Sequence, residues 1–254
     1  MNISTTSNKR AYIDLQNVSL TFHKFGPKRS FKETFISWFS SKNYGRANTF
    51  SVLKNISLSI NTGEKVGIIG KNGSGKTTLL KLITGIYRPV EGRIRVTGHI
   101  VPLLEIATGA NPQLSGEENV YLISAMYGKN PYEIKNKIND IFSFAGLENF
   151  AQTPVKYYSS GMKSRLMFSI ATTLNPEIML NDEVFAGGDE EFKHKAKKRL
   201  DQMIDKAHIS VFVSHNLQLL RQLTSRLIWL KDGKIEADGD FKKVIYLYHK
   251  YIKN

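Results

Sequence analysis

The feature that most constrains the fold is a glycine-rich run in the first third of the chain. It fits the pattern G-x-x-x-x-G-K-[ST] and consists of Gly70, Lys71, Asn72, Gly73, Ser74, Gly75, Lys76, Thr77 and Thr78. A strand pattern at 64–69 precedes the run and a helical pattern at 76–83 follows it, which is the context this motif requires. Backbone N–H groups of such a loop can surround a phosphate, while Lys76 can neutralise β and γ oxygens and Thr77 can bind Mg²⁺. The run therefore predicts a phosphate loop in an α/β fold.

Two adjacent acids end a second apolar strand pattern that begins at Ile178. A phosphate-loop fold takes another part of its site from such a strand end. Asp182 would help to hold Mg²⁺, and Glu183 would orient and polarise the attacking water as a general base. Paired acids are also common on surfaces, so this prediction depends on the phosphate loop.

The segment Tyr158-Ser159-Ser160-Gly161-Met162 resembles the Leu-Ser-Gly-Gly-Gln signature of ABC ATPases. Ser159 and Gly161 match that signature, whereas Ser160 and Met162 depart from it. In that family the signature of one subunit contacts the γ-phosphate held by the other. The resemblance therefore implies an ATP-hydrolysing homodimer with Ser159, Ser160 and Gly161 in the nucleotide site.

Other parts of the chain match the same family in order. Ala186 to Asp189 stands at the D-loop position, and His215 matches the histidine near the γ-phosphate. Phe22 matches the aromatic residue that stacks on adenine, with a core phenylalanine as the alternative. The resemblance implies ATP and Mg²⁺ as cofactors.

One branch of the family, which exports O-antigen, capsule or teichoic acid, shares further segments. Leu103 to Gly109 places Glu105 near the position where the family has its Q-loop glutamine, and 111–116 and 181–189 also resemble that branch. The implied cargo is a lipid-linked polysaccharide, moved through separate transmembrane permease subunits. We expect Glu105 to lie at the permease interface.

A long insert at 23–50 separates the first two strand patterns. Phe31, Phe35, Trp38 and Phe39 recur in it at helical spacing, and basic residues stand nearby. This amphipathic helix would face the permease or the lipid surface, or its aromatic residues would pack on the domain. The two interpretations remain open.

Composition limits the rest of the interpretation. The 254 residues include no cysteine, which excludes disulfides, and carry a formal net charge of +14. No apolar run reaches the roughly 18 to 20 residues that span a bilayer, and none at the start resembles a signal peptide. We expect a peripheral protein at the cytoplasmic face of the inner membrane. The chain also ends too early for the carbohydrate-recognition domain that some members of the branch carry, so we do not expect it to bind the glycan terminus itself.

The predicted architecture is one ABC-type domain, 1–254. It has a P-loop α/β core, a small antiparallel sheet built from the N-terminal strands and a helical signature subdomain at about 105–174. The alternatives are an ABC subunit with another cargo, or a non-transport ABC ATPase that acts on nucleic acid or ribosomes, which the charge would suit. We expect no nucleic-acid partner, because the chain shows no nucleic-acid-reading motif, fused second ATPase or long coiled coil.

Overall fold

The computed structural model describes residues 10–23, 49–103, 109–182 and 190–253. The strands are β1 (Tyr12–His23), β2 (Thr49–Asn61), β3 (Lys65–Ile69), β4 (Glu91–Thr97), β5 (Ile100–Leu103), β6 (Ile178–Asp182), β7 (Ile209–Val213), β8 (Arg226–Lys231) and β9 (Lys234–Asp240). The helices are α1 (Lys76–Ile83), α2 (Gly116–Met126), α3 (Pro131–Lys135), α4 (Ile138–Ala145), α5 (Ser160–Thr173), α6 (Glu190–Lys206), α7 (Leu217–Leu223) and α8 (Phe241–Lys253). Short 3₁₀ turns lie at Glu148–Phe150 and Val155–Tyr157.

A six-stranded sheet in the order β5-β6-β7-β3-β8-β9 forms the centre of the molecule. The pairings are parallel up to β8, and β9 pairs antiparallel with β8 through a hairpin. Every residue of β7 is buried, as are four of the five residues of β3, which is typical of parallel strands covered on both faces. The carboxyl ends of β3, β6 and β7 therefore meet at one edge, where the predicted site residues begin.

A second, antiparallel sheet has the order β2-β1-β4. Its first two strands confirm the predicted sheet of N-terminal strands, and β4 is a third strand that the sequence did not indicate. Both strands extend into the predicted insert, since β1 continues to His23 and β2 begins at Thr49. The insert is thus 24–48 rather than 23–50. Its predicted aromatic helix lies outside the described residues.

Helices α2 to α5 form the predicted helical subdomain. Ser115 caps α2 by accepting from the Glu118 N–H at 3.2 Å, and Glu118 accepts from the Ser115 N–H at 2.7 Å. These bonds lower the pKa of Glu118. Asn119 is fully buried, and its amide donates to the carbonyls of Asn111, Leu114 and Ser115. The turn before α2 is thereby fixed to the helix that follows it.

Within the described ranges, no helix has both the length and the hydropathy to cross a membrane.

Candidate functional site

The phosphate loop connects β3 to α1, as predicted. Gly73 and Gly75 have φ angles of 77° and 103°, in the left-handed region that other residues rarely adopt. Helix α1 begins at Lys76 directly after Gly75, and no side chain caps its first turn. The first N–H groups of the helix therefore face the loop, where an anion would satisfy them.

Lys76 lies over its own loop. Its Nζ donates to the carbonyl oxygen of Gly70 at 2.9 Å and to that of Lys71 at 3.1 Å, and the residue is only 8% exposed. These two bonds hold the ammonium at the loop, where an arriving phosphate would meet it.

The next residue connects the loop to the second predicted strand. Thr77 Oγ1 donates to Asp182 Oδ2 at 2.6 Å, although the two residues are far apart in sequence. A hydroxyl and a carboxylate oxygen are hard donors of the kind that Mg²⁺ prefers. The structure thus brings together the two residues that the sequence suggested as metal ligands.

These groups open onto a pocket of about 800 Å³. The residues that the sequence predicted and that line it are Phe22, Asn72, Gly73, Gly75, Lys76, Thr77, Thr78, Asp182 and His215. His215 follows β7, the neighbour of β3, and stands between Ser214 and Asn216, the residue that caps α7. The phosphate loop, Asp182 and His215, which are far apart in the sequence, therefore lie together at this edge of the sheet.

Phe22 is half-buried, and its ring is bounded on two sides. Tyr87 packs edge-on at 5.3 Å between centroids, and Phe50 lies 6.0 Å away in a tilted orientation. Phe50 is 47% exposed, lines the same pocket and faces Phe22 across the β1–β2 pair. The aromatic wall is thus wider than the sequence indicated.

The turn between β8 and β9 also lines the pocket, through Asp232 and Gly233. The Gly233 N–H donates to the Ser74 carbonyl at 3.2 Å, and the Gly233 carbonyl accepts from the Lys54 N–H at 2.8 Å. The dipeptide Asp232-Gly233 is typical of a hairpin turn, but nothing in the sequence indicates that this turn contacts the phosphate loop.

The signature segment lies at the start of α5. Ser159 caps the helix by accepting from the Met162 N–H at 3.2 Å, and both Ser159 and Ser160 are exposed. Tyr158 is buried, which raises its pKa, and its hydroxyl donates to the Phe150 carbonyl at 2.6 Å. None of Ser159, Ser160 and Gly161 is among the residues that line the pocket.

Three predicted site residues, Glu105, Glu183 and Asp189, lie outside the described residues. Among the described residues, no cluster of three or more histidine or acidic side chains could hold a metal alone. A magnesium ion that binds with a nucleotide needs only one or two protein oxygens, because the phosphates supply others.

The chain is similar to known proteins over most of its length. The family described as ABC transporter matches residues 53–186, more than half of the chain. The O-antigen export system ATP-binding protein RfbE of Yersinia enterocolitica is 42% identical over 195 residues, which are 77% of this chain and 82% of that protein. The teichoic acids export ATP-binding protein TagH of Shouchella clausii is 37% identical over 229 residues, 90% of this chain. The chain spans 63% of that protein, less than two thirds of its length.

A solved structure shares the fold. It is a dimeric, post-hydrolysis state of an ATP-binding cassette bound to ADP and Pi. The identity is 25%, the TM-score is 0.66, and the match covers 90% of this chain and 98% of that one.

Proposed function

The chain belongs to the ABC transporter family of ATP-binding proteins, and on that basis we propose that it hydrolyses ATP to power export of a lipid-linked cell-surface polysaccharide. The observation that carries the choice of cargo is the 42% identity to an O-antigen export ATP-binding protein across 82% of its length. The match to a teichoic acids export protein supports the same class of cargo.

The pocket at the sheet edge is the proposed ATP site. Phe22 would stack on adenine, with Phe50 as a second wall, and the phosphate loop would surround the phosphates with its N–H groups. Lys76 would exchange its two loop carbonyls for β and γ oxygens. Such a charge-assisted bond to an anion is stronger than a bond to a neutral carbonyl, so binding of the nucleotide favours the exchange.

Two residues outside the phosphate loop would act on the γ-phosphate. Glu183 would accept a proton from the attacking water, since it follows Asp182 directly at the end of β6. His215, on the neighbouring strand end, would contact the γ-phosphate. The end of β6 at Asp182 and the end of β7 before His215 are neighbours in the sheet, which supports this division of roles.

Thr77 and Asp182 would hold Mg²⁺ between them. Their oxygens are 2.6 Å apart, and both face the pocket, so the donor set fits a hard cation. When bound, Mg²⁺ would offset negative charge on the phosphate oxygens.

We infer that two copies of the chain clasp two nucleotides. Ser159, Ser160 and Gly161 are absent from the lining of the chain's own pocket, while the first two of them are exposed. A second copy could bring these residues and Asp189 to the open side of the site. The dimeric cassette with ADP and Pi supports this arrangement.

Export also requires membrane-spanning partners. We propose that separate permease subunits receive the movement of the dimer, with Glu105 at their interface, and that the chain acts at the cytoplasmic face of the inner membrane. The names of the relatives, which describe ATP-binding parts of export systems, support this assignment.

The test is to delete the gene in its host and complement it with the wild type or with Glu183→Gln. We expect surface polysaccharide to disappear, and lipid-linked polymer to accumulate inside the cell, unless an active Glu183 is supplied. Cell fractionation followed by glycan analysis measures both pools. Unchanged surface glycans would refute the cargo while leaving the ATPase assignment intact.

A separate measurement addresses the alternative function. Binding of the purified protein to RNA or DNA at physiological ionic strength, with a steep loss of affinity as salt rises, would favour a non-transport ATPase. We expect no such binding.

A further inference from the structure

Helix α8 packs one face on the β8–β9 hairpin. Phe241 and Val244 are buried in that contact. Further along the helix, the rings of Tyr248 and Tyr251 lie 5.5 Å and 5.2 Å from the Trp229 ring. Trp229 is itself only 5% exposed, so the end of the helix is fixed to a rigid part of the central sheet.

Tyr251 also lies beside two lysine ammonium groups. The Nζ of Lys231 is 4.2 Å from the centre of its ring, and the Nζ of Lys71 is 4.9 Å away. Both distances are within the roughly 6 Å at which an aromatic face attracts a cation. Lys231 ends β8, but Lys71 is the second residue of the phosphate loop.

Lys71 has a second role through its backbone. Its carbonyl oxygen accepts from Lys76 Nζ at 3.1 Å and from the Ser74 N–H at 3.1 Å. The ring of Tyr251 thus holds the side chain of the residue whose carbonyl orients the catalytic lysine. A continuous series of contacts connects the last turn of α8 with the phosphate-binding groups.

The chemistry of this contact suits an anion site. Among the described residues, the recorded ion pairs join neither Lys71 nor Lys231 to a carboxylate. An aromatic face attracts a cation through its quadrupole and adds no negative charge. A carboxylate in the same place would fix the lysine equally well but would repel the nucleotide phosphates.

We propose that Tyr251 is a positioning residue of the nucleotide site, which it supports by holding Lys71 and thereby the first turn of the phosphate loop. The proposal rests on the proposed ATPase function, since it concerns how that same site binds ATP. It makes α8 a part of the nucleotide site, although no residue of α8 lines the pocket.

The experiment compares purified full-length variants by steady-state ATPase kinetics and by the Kd of a fluorescent ATP analogue. Tyr251→Leu removes the ring, and we expect KM and Kd to rise about two- to fivefold, with kcat changed less than about twofold. Tyr251→Phe keeps the ring and should retain the wild-type values. The matched control is Tyr246→Leu, since Tyr246 is on the same helix and 68% exposed.

A double-mutant cycle identifies the partner. In the Lys71→Arg background, which keeps a cation near the ring, Tyr251→Leu should still raise KM. In the Lys71→Met background, Tyr251→Leu should raise KM no further, because the contact is already absent. Additive effects of the two changes would overturn the positioning role.

The outcomes also separate this inference from the proposed function. If the wild-type chain neither binds nor hydrolyses ATP, the proposed function fails. If the wild type hydrolyses ATP and Tyr251→Leu has the same KM, only the proposed role of Tyr251 fails. The same holds if Tyr251→Leu has a lower Tm but an unchanged KM, because the residue then supports only the stability of the fold. Should Tyr251→Leu not fold, the comparison of Lys71→Met with Lys71→Arg decides, and equal KM values refute the proposal.

Discussion

Gly233 occupies a position where both backbone conformation and space require glycine. Its φ is +78°, and an added Cβ would lie 2.2 Å from the carbonyl oxygen of Val52 and 2.9 Å from the carbonyl carbon. Both atoms belong to the backbone of β2 and cannot rotate away. Gly85 has the same φ of +78°, but nothing lies within 4 Å of its added Cβ. The pair Gly233→Ala and Gly85→Ala therefore separates the steric contact from the backbone strain.

The magnitude follows from the contacts that the β8–β9 turn would lose. Both alanines bear the left-handed strain of about 1 to 2 kcal/mol. In Gly233→Ala the turn must also withdraw from β2 by about 1 Å to reach an ordinary contact. That movement weakens the bonds to Lys54 and Ser74, each worth about 0.5 to 1.5 kcal/mol net. We expect Gly233→Ala to lose about 1 to 3 kcal/mol more than Gly85→Ala.

Urea unfolding followed by tryptophan fluorescence measures this difference, and an unchanged m value would show that the unfolded states are comparable. Because Ser74 belongs to the phosphate loop, Gly233→Ala should also weaken ATP binding about two- to tenfold, while Gly85→Ala should not. Equal losses of stability in the two variants would refute the steric argument. Unchanged ATP affinity in Gly233→Ala would show that the loop keeps its shape without this support.

Two further predictions concern the chemistry of the site. Glu183→Gln should bind ATP, remain as a closed dimer and lose turnover, because the amide cannot accept the proton of water, whereas Lys76→Ala should mainly weaken ATP binding. Size-exclusion chromatography with ATP and an ATPase assay measure both effects, and near-normal turnover in Glu183→Gln would refute the base assignment. Glu105→Ala should retain more ATPase activity than Glu183→Gln. Thr77→Val keeps the shape of the side chain but removes its hydroxyl, so the Mg²⁺ concentration for half-maximal ATPase should rise about tenfold, whereas Thr77→Ser should stay near the wild type; equal Mg²⁺ dependence of Val and Ser would exclude Thr77 as a ligand.

The parts of the fold that were predictable are those in which the evidence is local. Apolar runs predicted β3 and β6, and the sequence Gly70 to Thr78 predicted both the turn and the start of α1. In each case the residues that form the element also carry its signal.

The rest of the site depends on pairings between distant segments. Phe50 reaches the pocket only because β2 pairs with β1 in the register that places it opposite Phe22. Strand β4 joins the same sheet, although four of its seven residues are exposed and the other three are only half-buried. The contrast in burial between its two faces is therefore small. The contact between Lys71 and Tyr251 joins residues that are far apart in the sequence. No spacing rule connects such residues, and only the topology of the sheet brings them together.

The same topology explains why one copy would leave its nucleotide site incomplete. Parallel strands place the phosphate loop, Asp182 and His215 at one edge, because Asp182 ends β6 and the other two follow the carboxyl ends of β3 and β7. The signature instead follows the 3₁₀ turn at Val155–Tyr157 and begins α5 in the helical subdomain. Ser159 is already fixed there as the helix cap, with its backbone ordered and its surface exposed. A second copy would therefore meet a preformed surface, and the entropic cost of ordering that segment would be met in folding rather than at each ATP-dependent closure.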